Sequence, residues 1–414
     1  MPNWFEKNFE ISQDLLKNII RDFHLEMERG LRRQKSSLKM LYTYVDKPRG
    51  LEKGEFLALD LGGTNLRVLS LELKGKGKIM KGKEKKFVLG PKQMNTNAQA
   101  LFDFLALCVR DFLIENDIPL DQKIDLGFTF SFPVKQAAIN SGFLIKWTKE
   151  FTASGVEGKN VVELLKQALK RKGISGIKIA ALVNDTVGTL ACRSYTDKDC
   201  DVGVILGTGT NACYREKVKR GQMIINIEWG NFNKLPRTPY DLELDEASVN
   251  KGEQILEKEV SGMYLGKIAS LIIEDLLKIK LNNFTAEHIS RIESDHSQSL
   301  NYVGRLLKDL GAGKLDLEDR KVVKKICRVV TARGARISAA VLAAVITKID
   351  PGLSKKHVVA MDGTLYEKHP LFAADIKNTL KELFGQKSEQ IKIILTKDGS
   401  GKGAAIVAAV ASQK

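Results

Sequence analysis

The stretch Phe56-Leu-Ala-Leu-Asp-Leu-Gly-Gly-Thr-Asn-Leu-Arg-Val-Leu-Ser-Leu-Glu-Leu73 constrains the fold more than any other. Residues 56 to 59 are apolar and few, which suits a strand buried on both faces. Gly62-Gly63 can turn where other residues cannot and leaves no Cβ in the way of a bound group. Asp60 falls at the carboxyl end of the strand, where ligands collect in open α/β sheets. Thr64 and Asn65 add a hydroxyl and an amide, and from Leu66 the chain returns as a second strand. Such a unit is either an ordinary glycine hairpin or a cradle of backbone amides for a polyanion.

A second copy favours the cradle. Asp201-Val-Gly-Val-Ile-Leu-Gly-Thr-Gly-Thr-Asn-Ala-Cys-Tyr214 has the same strand–turn–strand form, and its Thr208-Gly209-Thr210-Asn211 echoes Gly62-Gly63-Thr64-Asn65. Self-similarity at this spacing predicts two related α/β halves, each presenting one glycine turn. Facing each other across a cleft, the two turns would grip a polyphosphate from both sides.

The 414 residues exceed what one hydrophobic core usually serves, so two domains are expected. With 43% apolar and 28% charged residues the chain reads as soluble and globular. Its longest unbroken apolar runs, such as Ala339 to Ile346, are too short to span a bilayer. Met1-Pro-Asn-Trp-Phe-Glu lacks the pattern of a secretory signal, so the expected location is cytoplasmic. Cys108, Cys192, Cys200, Cys213 and Cys327 are scattered and odd in number, which suggests reduced thiols rather than a disulfide frame or zinc site. The net charge is +16, mostly lysine spread over surface-like positions, with one dense run, Lys74 to Lys86, of seven lysines and three glycines. That run interleaves no aromatics and matches no nucleic-acid motif, so it reads as a solvated loop and no nucleic-acid partner is expected.

Along the chain, residues 11 to 29 carry Leu16, Ile20, Phe23 and Met27 on one helical stripe. Lys35 to Gly54 reads as a linker. Leu101, Phe104, Leu105, Cys108 and Phe112 mark a helix ending near Glu115. Asp125 to Phe130 is a strand stopped at Pro133. A helix is expected over 160–171, a strand over Ile177 to Val183, and a helix opening at Asn184-Asp185-Thr186. Met223 to Ile227 is a further strand; Asp241 to Lys348 is largely helical, around 253–280, 297–309 and 320–347. Sheet returns at His357 to Met361 and Ile391 to Leu395. Gly399-Ser400-Gly401-Lys402-Gly403 reads as a turn before a helix over 404–411, a geometry suited to anions. Its spacing is not that of a P-loop.

Polar residues gather at the strand ends: Ser131, Thr148, Lys149, Asn184, Asp185, Asn211 and Glu228, with Glu257 ahead of Ser261-Gly262. Each alone could be a helix cap or a surface group, and Asn184-Asp185-Thr186 could be an N-cap run. Together they suit a polyhydroxylated ligand, because each sugar hydroxyl both donates and accepts. Phosphoryl transfer asks a protein for positioning, charge neutralisation and one base, and Asp185 is placed to be that base.

The ordered set Leu59-Asp-Leu-Gly-Gly-Thr-Asn-Leu-Arg67, Leu126-Gly-Phe-Thr-Phe-Ser-Phe-Pro133, Trp147-Thr-Lys149, Val183-Asn-Asp-Thr-Val-Gly188, Gly207-Thr-Gly-Thr-Asn-Ala-Cys-Tyr214, Ile227-Glu-Trp-Gly230, Ser261-Gly-Met-Tyr-Leu-Gly266, Asp362-Gly-Thr364 and Gly399-Ser-Gly-Lys-Gly-Ala-Ala405 resembles the eukaryotic hexokinase/glucokinase family over nearly the whole chain. The resemblance implies a two-lobed actin-like ATPase (ribonuclease H-like) fold, a small and a large α/β domain around a central cleft. The large domain would be 1–53 and 184–399, and the small domain 54–183 and 400–414. It implies that Asp185 takes the proton of the sugar 6-hydroxyl, and that Ser131, Thr148, Lys149, Asn184, Asn211, Glu228 and Glu257 hold the hexose. Asp60, Gly62, Gly63, Thr64, Asn65 and Arg67 would form the first ATP-phosphate segment, and Gly207, Thr208, Gly209 and Thr210 the second. Asp362, Gly363 and Thr364, with Gly399, Ser400 and Gly401, would flank the adenosine.

Mg²⁺ would bridge the ATP phosphates mainly through their oxygens and water, with Asp60 reaching it through water. The hexose would be glucose, with fructose and mannose as further candidates, and the chain would be a monomer or homodimer without a membrane anchor. Leu66, Asn250-Lys251-Gly252 and Lys402 depart from the family's usual Phe, Asn-Pro-Gly and Arg, none at a catalytic position. A catalytically silent sugar sensor on the same scaffold is the alternative; it should have lost the base or a phosphate turn, and this chain keeps both.

Overall fold

The computed structural model describes residues 9–63, 65–148, 151–218 and 221–413. Two sheets organise it. The first contains β2 (Lys53–Leu61), β3 (Asn65–Lys74), β4 (Ile79–Val88), β5 (Ile124–Phe130) and β8 (Ile177–Val183), in the order β4-β3-β2-β5-β8. The second contains β1 (Leu41–Tyr42), β9 (Cys200–Leu206), β10 (Thr210–Val218), β11 (Gly221–Asn226), β12 (His357–Asp362) and β13 (Ile391–Leu395), in the order β1-β11-β10-β9-β12-β13. In both, a three-strand antiparallel meander is extended by two parallel strands. The repeat read from the two glycine turns is therefore a repeat of whole sheets. A small hairpin of β6 (Val134–Ala138) and β7 (Ser141–Leu144) hangs from the first sheet after Pro133.

A helix follows the last strand of each sheet: Asp185–Thr196 after β8 and Gly399–Ser412 after β13. These two equivalent helices lie between the sheets, in an apolar layer with Ala58, Leu71, Val183, Val187, Ile406 and Val407. Their contact has no room for side chains: a Cβ on Gly403 would lie 1.8 Å from the carbonyl oxygen of Gly188. A Cβ on Gly127 in β5 would likewise meet the Ala404 oxygen at 2.0 Å, and one on Gly203 in β9 the Thr186 oxygen at 2.6 Å. Interiors this dense do not absorb added atoms without shifting.

The second sheet carries a large helical layer on its outer face. Its centre is the 33-residue helix Leu317–Ile349, packed against Gln13–Leu31, Gly262–Leu277 and Phe372–Phe384. By length and composition this helix could cross a membrane, but 83% of its most apolar window is buried inside the protein. All five cysteines are buried as free thiols, and burial pushes each pKa up, that of Cys108 to about 12 and Cys192 to about 11.

Three readings need correction. The lysine-rich run is not a loop: β4 occupies Ile79–Val88 and pairs with β3, as in Val68↔Lys85. It is an edge strand, where lysines guard the unpaired side against further pairing. The linker over 35–54 contains β1, which pairs with β11, and the start of β2. The glycines Gly399, Gly401 and Gly403 are helical themselves; the turn is Asp398, in the left-handed region at φ 56°.

Candidate active site

Strand ends and two helix starts converge on a cavity of about 50 Å³ between the sheets. Ser131 follows β5 and is buried; Asn184 follows β8; Thr210 and Asn211 open β10; Glu228 lies just past β11. Gln254 and Glu257 come from the start of the helix Ile255–Val260, and Thr148 from the loop after β7. Asp185 lines the same cavity, half-buried, as the first residue of its helix. Asn184 is the cap: its Oδ1 accepts from the Thr186 N–H at 3.0 Å and the Thr186 hydroxyl at 2.7 Å. Capping and wall-building are thus done by one residue, so the N-cap and ligand readings are compatible.

A chain of amides and carboxylates orders the opposite wall. The Asn211 side-chain amide donates to Asn226 Oδ1 at 2.9 Å, and that of Asn226 to Glu228 Oε1 at 2.8 Å. Asn211 Oδ1 accepts from the Ala212 N–H at 2.7 Å. Glu257 Oε2 accepts from the Thr210 N–H at 3.0 Å, and Thr210 Oγ1 from the Trp229 indole at 2.8 Å. Glu228 sits at φ 56°, a strained backbone for a residue with a side chain, of the kind that clusters at functional sites. Polar groups held this firmly are presented rather than improvised.

The first glycine turn is closed by the Gly62 N–H donating to Asn65 O at 2.9 Å. Behind it, Arg67 ties three segments together. Its Nε donates to Asp60 Oδ2 at 3.1 Å, its Nη1 to Asp398 Oδ1 at 2.7 Å, and its Nη2 to the Ser400 hydroxyl at 2.9 Å. Ser400 in turn donates to Asp60 Oδ2 at 2.7 Å. Burial opposes the Arg67 charge, but Asp60 and then Asp398 outweigh it and hold the guanidinium ionised. Gly399, Ser400 and Gly401 therefore stand against the segment of the first glycine turn; a Cβ on Gly401 would be 3.6 Å from Asp60 Oδ2.

The second turn is tight: the Gly207 N–H donates to Gly209 O at 3.0 Å. The helix Gly262–Leu277 docks on it, with the N–H groups of Gly262 and Met263 bonded to Gly207 O and Thr208 O. Gly363, at φ 119°, presses on the same turn, where a Cβ would lie 2.3 Å from Leu206 O. Asp362 bonds the N–H groups of Gly363 and Gly399. Burial pushes its pKa up to about 6, against the pull of those N–H groups and of Arg67.

Beyond Thr208 opens a large cavity, about 1080 Å³. Thr364 lines it, and none of Asp362, Gly363 and Gly399 to Gly401 does. Its other wall, Thr285 to Ser290 with Arg291 and Tyr302, was missed by sequence reasoning because no glycine or strand end marks it. Asn226 and Gln254 were missed as well. Asn226 had a signal, since it closes β11 two residues before Glu228; Gln254 had none, because its left-handed backbone places it. Thr64 and Lys149 lie outside the described residues. Among those described, no group of three His, Cys, Asp or Glu side chains could hold a metal.

Duplicated sheets around a polar cleft, each contributing a glycine turn, define the class: a two-lobed actin-like fold of the sugar-kinase kind. The family described as Hexokinase matches residues 3–195 with one model and 201–410 with another. The chain belongs to the hexokinase family, enzymes that phosphorylate hexoses. It is 43% identical to Hexokinase-7 of Oryza sativa subsp. japonica, over 94% of this chain and 92% of that one. It is 38% identical to Hexokinase-2 of Rattus norvegicus, over 98% of this chain and 48% of the relative. A solved hexokinase from Schistosoma mansoni complexed with glucose is 34% identical with a TM-score of 0.86, covering 98% and 97% of the two chains. A ROK family glucokinase from Streptomyces griseus, in complex with glucose and AMPPNP, shares the fold alone, at 15% identity and a TM-score of 0.54.

Proposed function

We propose that the chain transfers the γ-phosphoryl group of ATP to the 6-hydroxyl of a hexose, glucose first, giving hexose 6-phosphate and ADP. The observation that carries this reading is that Asp185 lines a pocket of hydroxyl-matching side chains whose wall also includes Gly209 and Thr210 of the second glycine turn. The base and the phosphate grip thus share one cavity.

In this reading Asp185 accepts the proton of the attacking hydroxyl as the new P–O bond forms. Ser131, Thr148, Lys149, Asn184, Asn211, Glu228 and Glu257 hold the remaining hydroxyls. A site of this kind rejects analogues lacking a hydroxyl, since its own polar groups would be left unpaired. The backbone amides of the two turns steady the phosphates, and the large cavity beyond Thr208 takes the adenosine. Thr364 lines that cavity, with Asp362 and Gly363 directly before it in the chain; Gly399 to Gly401 serve the phosphate end through Arg67.

The donor set suits Mg²⁺ carried on ATP rather than a resident ion, because Mg²⁺ keeps its waters and needs few protein ligands. It would supply charge neutralisation on the triphosphate. Asp60 would be the carboxylate that steadies its hydration shell: the Arg67 and Ser400 bonds all fall on Oδ2, which leaves Oδ1 for a water that the ion would carry. We place the domain division at 1–53 plus 184–399 and 54–183 plus 400–414, with closure excluding water as a competing acceptor. Five free buried thiols suit a reducing compartment such as the cytoplasm.

A steady-state panel of glucose, fructose and mannose with Mg·ATP, coupled to hexose 6-phosphate detection, tests the reading. Turnover with glucose above the other sugars is expected. Glucose binding by calorimetry without any turnover would replace it with a sugar sensor.

A further inference from the structure

We propose that Lys146 and Glu253 form a latch across the mouth of the cleft that sets sugar affinity by favouring the closed arrangement. The inference rests on the sugar-binding role proposed above for the adjoining cavity. Lys146 Nζ donates to both carboxylate oxygens of Glu253, at 3.1 and 2.9 Å, although 107 residues separate them. Lys146 belongs to the loop after β7, on the side of the first sheet. Glu253 precedes the helix Ile255–Val260, which packs with the second.

Neither charge hangs from a loose loop. Trp147, next to Lys146, donates its indole N–H to Ala153 O and its backbone N–H to Glu157 Oε1, both at 2.8 Å. Its ring meets Phe132 edge-on at 4.7 Å and stacks on Phe151 at 5.1 Å. On the far side, the Glu253 N–H is bonded to Asn250 O at 3.0 Å, and Gln254 is held at φ 55°. Each partner therefore reports the position of a rigid platform. Each platform also carries a wall of the proposed sugar pocket: Thr148 two residues after Lys146, and Gln254 directly after Glu253. Closing the pair brings the two walls to their separation in this structure.

The side chains remain 58% and 50% exposed, at the rim of an 860 Å³ cavity that continues outward from the sugar pocket. Exposed pairs contribute little individually and are weakened by salt. That suits a latch that biases closure without locking the product in. A fraction of closed molecules multiplies directly into apparent affinity. Lys146 and Glu253 are positioning residues, so they should move KM and Kd and leave kcat alone.

The test uses the full chain, with K146E, E253K and the charge swap K146E/E253K. Glucose Kd comes from intrinsic tryptophan fluorescence, with Trp147 as neighbour, and KM and kcat from the coupled assay at saturating Mg·ATP. Each single reversal should raise Kd and KM by about three- to tenfold, with kcat within about twofold, and the swap should restore both. Going from roughly 0.05 to 0.5 M NaCl should weaken wild-type binding and barely affect the neutral variants K146Q and E253Q. Additive effects in the swap, or an unmoved Kd in the singles and neutral variants, would overturn the latch. If the wild type binds glucose but makes no hexose 6-phosphate, the catalytic reading fails while the Kd cycle still decides the latch. If it binds no hexose, both fall.

Discussion

Gly188 and Gly403 bring the two equivalent helices of the repeat into backbone contact, and the reverse Cβ, on Gly188, would lie 2.5 Å from Ser400 O. The first turn of one helix carries Asp185 and that of the other carries Ser400, bonded to Asp60. The proposed base and the proposed phosphate segment are therefore spaced by one helix crossing. Gly403→Ala should force that crossing apart and cost about 1–3 kcal/mol, as overpacking of a dense interior does. Urea unfolding measures the loss; the surviving folded fraction should also turn over more slowly. A variant of wild-type stability and rate would show that the crossing can relax freely.

Asp185→Asn keeps the shape of the pocket wall and removes the proton acceptor. Turnover should fall by roughly 10²–10⁴-fold, the usual size of a general-base contribution. Glucose affinity by calorimetry should stay close to wild type. Near-normal kcat in the coupled assay would remove Asp185 from the role of base.

Asp60→Asn tests the proposed phosphate segment apart from the proposed sugar pocket. It should raise the Mg·ATP requirement and lower turnover while leaving glucose Kd unchanged. Arg67→Lys should act in the same direction, because a lysine cannot reproduce the fork that reaches Asp60, Asp398 and Ser400 together. A large loss of sugar affinity in either variant would move Asp60 to the sugar.

Asp362 gives a pH dependence with a definite sign. Burial raises its folded pKa to about 6 from 3.8, so folding takes up a proton between those values. The stability linked to this group is fully present below about pH 4 and is lost as pH rises through 6, up to roughly 3 kcal/mol in all. Asp362→Asn keeps one acceptor for the neighbouring N–H groups and removes the titration. Relative to wild type, the variant should become more stable from pH 5 to pH 8 in urea unfolding. A difference independent of pH would mean that Asp362 does not titrate in this window.

Much of the fold was legible because its determinants are local. The glycine turns at 62–63 and 207–210, and the short apolar strands beside them, are written in a few consecutive residues. The strand-end polar residues followed, since Asp185, Asn184 and Glu228 lie where the strands stop. What stayed hidden depends on partners distant in sequence. Lysines at 81, 83, 85 and 86 look like loop until β3 supplies the pairing that makes them an edge strand. Gly188 and Gly403 look like ordinary helix glycines until the helices cross. The wall from Thr285 to Tyr302 takes its meaning from Thr208 and Thr364, which the chain brings to it from both sides.

The five buried cysteines turn the protein into its own opening counter. A thiol held protonated by an apolar surround does not meet an alkylating reagent while the chain stays folded. Cys108 lies in the apolar core of the first sheet, Cys327 in that of the helical layer, and Cys192, Cys200 and Cys213 in the layer between the sheets. The order in which mass-spectrometric labelling reaches them would map which part of the molecule loosens first, with no probe added to the chain.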